Sequence, residues 1–181
     1  MTRTAGLVLA AGEGRRFGGP KAPYAVDGER LVDRAVRVLR AGGCDPVVVV
    51  LGAWVGEVDD ADVVVNDCWA EGMGSSLRVG LERLSRSDDD VTAVLVTLVD
   101  LVGLTAGAVR RLVEVEEPLA AAAYDGERGH PVRFGREHWA ELGTGARGDS
   151  GARVYLSVHP PVLVEVGDIA SGDDLDERPS D

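Results

Sequence analysis

Six short runs rich in Val, Leu and Ala, at 5–11, 46–51, 62–66, 91–99, 119–124 and 161–166, alternate along the chain with segments of a different period. Those segments, 31–41, 75–86, 105–116, 136–142 and 150–158, carry apolar residues at three- and four-residue intervals and read as helices. Parallel neighbours in a sheet need such crossovers, so the alternation predicts an α/β chain with a mainly parallel central sheet covered by helices on both faces. Runs 47–51 and 93–99 are nearly all apolar, as strands buried on both sides must be. No repeat is visible. A length of 181 residues implies one domain, drawn here over 1–167, with an acidic tail over 168–181 that frays past Leu175. Asp88-Asp89-Asp90 reads as a solvated turn.

Composition narrows the partners. With 45% hydrophobic but only 4% aromatic residues, the core must be mostly Val, Leu and Ala. A net charge of −12 argues against a nucleic-acid or anionic-membrane surface. The apolar run 6–11 is too short for a membrane span and runs straight into charged residues, so it is not read as a signal peptide and a cytoplasmic location is expected. Cys44 and Cys68 lack CxxC spacing and read as free thiols of a reducing compartment; His130, His138 and His159 show no metal-ligand spacing.

Any anionic ligand must therefore meet local positive charge, and residues 6–23, GLVLAAGEGRRFGGPKAP, supply it. Lys21 is the only lysine; the other eighteen basic residues are arginines. Gly12, Gly14, Gly18 and Gly19 can take positive φ and turn backbone N–H groups towards anionic oxygens, with Arg16 and Lys21 neutralising the charge. The alternative is a surface loop of turn formers with Lys21 solvated. A Walker A loop is excluded, because Pro20 separates Gly19 from Lys21 and Ala22 follows. A dinucleotide fingerprint is excluded because Pro20 and Pro23 forbid a helix inside the turn and the next helical pattern begins near Leu31. The loop is built to wrap a ligand itself.

The run Leu9-Ala10-Ala11-Gly12-x-Gly14-x-Arg16-Phe17-x-x-Pro20-Lys21 resembles the signature of MobA-like nucleotidyltransferases, especially the molybdenum cofactor cytidylyltransferases. In an open α/β sheet ligands bind beyond the carboxyl ends of the strands, so each strand end is informative. Gly52-Ala53-Trp54 follows the second and could line a base or a pterin. After the third, Asn66-x-x-Trp69-x-x-Gly72-Met73-x-Ser75-Ser76-Leu77 resembles the cytidylyltransferase segment that borders the nucleotide. Together with Leu9, Ala10, Ala11, Gly12 and Gly14, the resemblance gives Gly72, Met73, Ser75 and Ser76 the base and ribose. Ser75 can instead be a helix N-cap, and Trp69 reads as packing.

The fourth strand ends in Asp100, too far ahead of the helix near Thr105 to cap it. Nucleotidyl transfer needs Mg²⁺ bridging phosphate oxygens, and Mg²⁺ favours one or two carboxylates with water, which makes Asp100 a candidate ligand. The resemblance agrees, although the family's Asp-x-Pro is here Asp100-Leu101-Val102. Gly129-His130-Pro131 and Gly148-Asp149-x-Gly151-Ala152-Arg153 also resemble family segments, which makes His130 and Asp149 candidates for the acceptor. A hydrogen-bonding structural role for His130 and helix capping by Asp149 are the alternatives. In Asp168-Ile169-Ala170 the family's second acid is an alanine, leaving Asp168 as the second metal candidate.

The resemblance implies a three-layer Rossmann-like nucleotidyltransferase fold and a reaction in which a terminal phosphate attacks the α-phosphorus of a nucleoside triphosphate, releasing pyrophosphate. The expected substrates are CTP, favoured over GTP because Ala11 stands where guanylyltransferases more often have glycine, and a phosphate-bearing acceptor such as molybdopterin cofactor. Two alternatives stand beside it: an NAD(P)H-dependent oxidoreductase of the nicotine blue type on the same fold, and a non-catalytic nucleotide-binding module that partners a molybdoenzyme.

Overall fold

The computed structural model describes residues 3–86 and 90–178. In chain order its elements are β1 (Arg3–Ala10), β2 (Ala25–Val26), β3 (Glu29–Arg30), α1 (Leu31–Ala41), β4 (Val47–Leu51), β5 (Asp62–Val65), α2 (Met73–Ser85), β6 (Val91–Leu98), α3 (Ala106–Val113), β7 (Leu119–Tyr124), β8 (Glu127–Gly135), α4 (Arg136–Gly145), α5 (Arg153–Val158) and β9 (Val162–Glu165).

The apolar run that leads into the glycine loop becomes the central strand. β1 pairs in parallel with β4 on one side and β6 on the other, within a seven-stranded sheet of order β5-β4-β1-β6-β8-β7-β9. The two-residue period of each strand sorts its side chains to opposite faces. Val8, Val49, Leu51 and Leu95 face α1 and α3, where Val32, Leu39, Val109 and Leu112 meet them. Leu7, Leu9, Val48, Val50 and Val94 face the other side, under Leu77 and Leu81 of α2, Trp139 and Leu142 of α4, and Leu156 of α5. Cys44 and Cys68 are free, and burial pushes the Cys44 thiol up to about 12. No helix among the described residues is long and apolar enough to cross a membrane.

One strand departs from the expected pattern. β8 inserts between β6 and β7 and runs antiparallel to both, whereas β1–β4, β1–β6, β4–β5 and β7–β9 are parallel pairs. Its first half, Glu127-Arg128-Gly129, pairs only with β7, and Pro131 falls where the β7 register shifts between Ala121 and Ala123. A residue without an N–H is tolerated where the ladder is interrupted, so the proline reads as a strand breaker yet sits in a strand. The hairpin of β2 and β3 is too short to leave a periodic signature.

The tail also differs from expectation. Up to Arg178 it is tied down: Leu175 N–H donates to the Asp100 carbonyl (3.0 Å), and the Arg178 guanidinium to the Phe17 and Gly18 carbonyls (3.1 and 3.2 Å). Of the turn expected at 88–90, Asp90 is a turn residue, while Asp88 and Asp89 lie outside the described residues.

Candidate active site

The chain leaves β1 towards β4 on one flank and returns to β6 on the other, so the carboxyl ends of β1 and β6 open a crevice. A cleft of about 480 Å³ lies there. Leu9, Ala10, Ala11, Gly12, Gly14, Arg16 and Lys21 line it from β1 and its loop, Gly72, Met73 and Ser76 from the start of α2, and Asp100 from the end of β6. Asp149 and Asp176 complete its rim. Ser75, His130 and Asp168 are not among its walls.

The glycine loop closes on itself. Gly14 has φ +64°, and its carbonyl accepts from the N–H groups of Gly18 (2.8 Å) and Gly19 (3.0 Å). These two amides are therefore used inside the loop and are not presented to a ligand, contrary to the sequence expectation. A Cβ on Gly14 would clash with the Gly19 carbonyl oxygen. Gly14→Ala is thus expected to cost more than the ~1 kcal/mol of an unfavourable φ alone, read as a lowered Tm in thermal unfolding. Phe17, 2% exposed, anchors the loop edge-on against Tyr24 with ring centroids 4.8 Å apart. No helix opens in the turn, because α1 begins only at Leu31.

Lys21 and Asp100 meet across the floor of the cleft. Lys21 Nζ donates to Asp100 Oδ2 at 2.6 Å, both side chains being largely buried, and Asp176 Oδ1 stands 4.0 Å from the same ammonium. The Asp174 carboxyl is pushed up by burial and by the charges of Asp100 and Asp176, against the pull of Lys21. No group of three or more His, Cys, Asp or Glu side chains among the described residues is arranged to hold a metal ion. One cleft carboxylate of hard oxygen donors still fits a divalent cation that keeps its waters and binds phosphate oxygens, which is how Mg²⁺ is usually held.

The opposite wall is braced by Asn66, 2% exposed. Its Nδ2 donates to Ser75 Oγ (2.8 Å) and Ser76 Oγ (3.0 Å), and its Oδ1 accepts from the Cys68 N–H (3.0 Å). Ser75 Oγ in turn lies within donating reach of the Gly72 and Cys68 carbonyls, at 2.8 and 3.1 Å. Ser75 is therefore a brace behind the wall; the N-cap position of α2 belongs to Gly72, whose φ is +106°. A Cβ on Gly72 would fall 2.7 Å from Asp149 Oδ1, so Asp149 packs on the amino end of α2. It does not cap α5, whose N-cap is Ala152. Trp69 both packs on the core and lines the cleft. Trp54 does not line it, and lies instead under the Arg30 guanidinium, 5.8 Å from its ring centre.

His130 and Asp168 do not line the cleft. His130 sits on β8 behind the cleft; burial lowers its pKa against a hydrogen bond to the Val96 backbone and the charge of Asp100, and its Nδ1 has no hydrogen-bond partner. Asp149 thus borders the cleft, whereas His130 does not line it. Asp168 points away, both carboxylate oxygens taken by Arg111 at 2.6 and 2.7 Å. Ala170 packs against the core, and it is the segment around Asp174 and Leu175 that bonds to Leu101 and Asp100. Asp168→Asn should leave the response to divalent cations unchanged within about twofold in a metal titration, since an exposed pair contributes little.

Comparison with known proteins comes down on one family. The profile of the family described as MobA-like NTP transferase domain matches residues 6–162. The nicotine blue oxidoreductase of Paenarthrobacter nicotinovorans is 35% identical over 94% of this chain and 91% of its own. A probable molybdenum cofactor guanylyltransferase of Opitutus terrae is 56% identical over 46 residues, 25% of this chain and 23% of that protein. Among solved structures, Rv0371c of Mycobacterium tuberculosis H37Rv superposes with a TM-score of 0.76 at 28% identity, covering 96% of this chain and 93% of that one. A manganese complex of Rv0371c also matches, with a TM-score of 0.71 at 27% identity, over 91% and 88% of the two chains.

Proposed function

The chain belongs to the MobA-like NTP transferase family, and on that premise we propose that it transfers a nucleoside monophosphate, CMP from CTP, to a phosphate-bearing acceptor such as molybdopterin cofactor in a Mg²⁺-dependent reaction. The observation that carries this reading is the pairing of Lys21 Nζ with Asp100 Oδ2 at 2.6 Å in the cleft bounded by the glycine loop. A cation for phosphate and a carboxylate for a divalent ion are where a triphosphate would need both.

The acceptor phosphate is anionic at neutral pH, so its oxygen attacks the α-phosphorus without a general base. One P–O bond forms, the bond from the α-phosphorus to the bridging oxygen breaks, and pyrophosphate leaves with that electron pair. What remains for the protein is positioning and charge neutralisation. Lys21 and Arg16 would hold the polyphosphate, and Gly72, Met73 and Ser76, with Asn66 and Ser75 bracing them, would hold the nucleoside. Asp100 would hold the divalent cation, which on binding supplies charge neutralisation at the phosphate oxygens. The manganese bound to Rv0371c supports a divalent ion in this fold.

The 35% identity to a protein named nicotine blue oxidoreductase favours a second reading, reduction of a pigment by a nicotinamide cofactor. The two separate in one assay. Pyrophosphate release from CTP with Mg²⁺ and a phosphate-bearing acceptor is the expected result; metal-independent oxidation of NADPH with no pyrophosphate released would replace it.

A further inference from the structure

The tail carries the strongest observation that the proposed chemistry does not use. Residues 174–178 cross from one wall of the cleft to the other. On the β6 side, Asp174 bridges Leu101 in antiparallel fashion and the Leu175 N–H donates to the Asp100 carbonyl at 3.0 Å. On the loop side, Arg178 Nε donates to the Phe17 carbonyl (3.1 Å) and Nη2 to the Gly18 carbonyl (3.2 Å). Its guanidinium also lies 5.4 Å from the Phe17 ring centre and 5.6 Å from that of Tyr24. Between these two anchors Asp176 lines the cleft, with its carboxylate 4.0 Å from Lys21 Nζ.

We propose that residues 174–178 form a strap that closes the polyphosphate end of the cleft, with Asp176 competing with an incoming polyphosphate for Lys21. The inference rests on reading that end as a polyphosphate site. Lys21 has three donors, one already given to Asp100, and Asp176 stands where a second anion would be drawn. A triphosphate arriving at this ammonium meets Asp176 at close range, and like charges side by side repel. The segment that carries Asp176 is held over this ammonium by the Arg178 anchor on the loop and the Leu175 anchor on the strand. Binding therefore requires the strap to release at least its Leu175 anchor, and a divalent cation that neutralises the carboxylates lowers the barrier to doing so.

Two measurements on the full chain test this. Inorganic tripolyphosphate, titrated calorimetrically without metal, should bind Asp176→Asn about tenfold more tightly than wild type, as removal of one nearby like charge predicts. Hydrogen exchange at the Leu175 amide of the wild type should accelerate when tripolyphosphate is added. Unchanged, weaker or absent binding by Asp176→Asn, or retained protection at Leu175, overturns the strap. Its failure is separable from that of the proposed reaction: a strap that yields to tripolyphosphate in a protein that transfers no nucleotide removes the reaction alone. Nucleotide transfer beneath an immobile segment removes the strap alone.

Discussion

Lys21→Ala should lower the rate of pyrophosphate release by about 10²- to 10³-fold, the usual loss when one preorganised donor is taken from developing charge. Two features make Lys21 hard to replace. It is the only lysine in the chain, and Arg15, which also lines the cleft, is already bonded to Glu13. Its ammonium is also placed by contacts that suit a compact cation, 2.6 Å from Asp100 and 5.7 Å from the Phe17 ring centre. A planar guanidinium with a fixed fork of donors does not fit the same point, so Lys21→Arg is expected to recover only part of the rate. The loop itself is held by Gly14, Phe17 and Tyr24, which the substitution leaves alone. Thermal unfolding should therefore show a cooperative transition in the variant, and wild-type turnover by it would remove Lys21 from the chemistry.

Asp100→Asn is expected to be at least as damaging, about 10³-fold in turnover, by removing the charge of the carboxylate proposed to hold the divalent ion while keeping the side chain's shape. The structural bonds at this position come from the backbone: the Asp100 carbonyl accepts from Val102 N–H (2.9 Å) and Leu175 N–H (3.0 Å), and both survive the substitution. Lys21 keeps a carboxylate partner in Asp176. The loss should therefore appear as a weakened response to Mg²⁺ in a metal titration, with the fold intact. If the two residues act as one unit, the double variant should be little slower than either single one, because effects within a catalytic unit are not additive. Additive losses would mean that Lys21 and Asp100 serve separate steps.

Much of this arrangement was legible in the residues. Runs 47–51 and 93–99 read as buried strands because they are nearly all apolar, and the rule that ligands collect beyond carboxyl ends then singled out the glycine loop and Asp100. The start of α1 was legible too, since its apolar stripe begins at Leu31, beyond Pro20 and Pro23. β8 was hidden by its own chemistry: Glu127, Arg128 and Pro131 are residues that disfavour a strand, and they are tolerated only because the first half pairs on one side and the proline sits at a register break. Asp168 was misplaced because a motif match carries register but not direction; the partner that turns it outward, Arg111, lies on α3 far away in sequence. Asp176 and Arg178 were missed because an acidic run at a chain end normally reads as solvated. One signal was available: Arg178 is the only basic residue after Arg153, an isolated cation in an acidic tail.

The most direct test of the central claim, a triphosphate held between Lys21 and a metal-binding Asp100, is thermal stabilisation of the protein by CTP, GTP, ATP and NADPH, each with and without Mg²⁺. A ligand that binds only the native state raises its stability in proportion to RT ln(1 + [L]/Kd), so selective binding is read directly as a shift in Tm. CTP is expected to stabilise only when Mg²⁺ is present, and Asp100→Asn should abolish that shift. A response to NADPH that ignores metal, with none to any triphosphate, would contradict the claim.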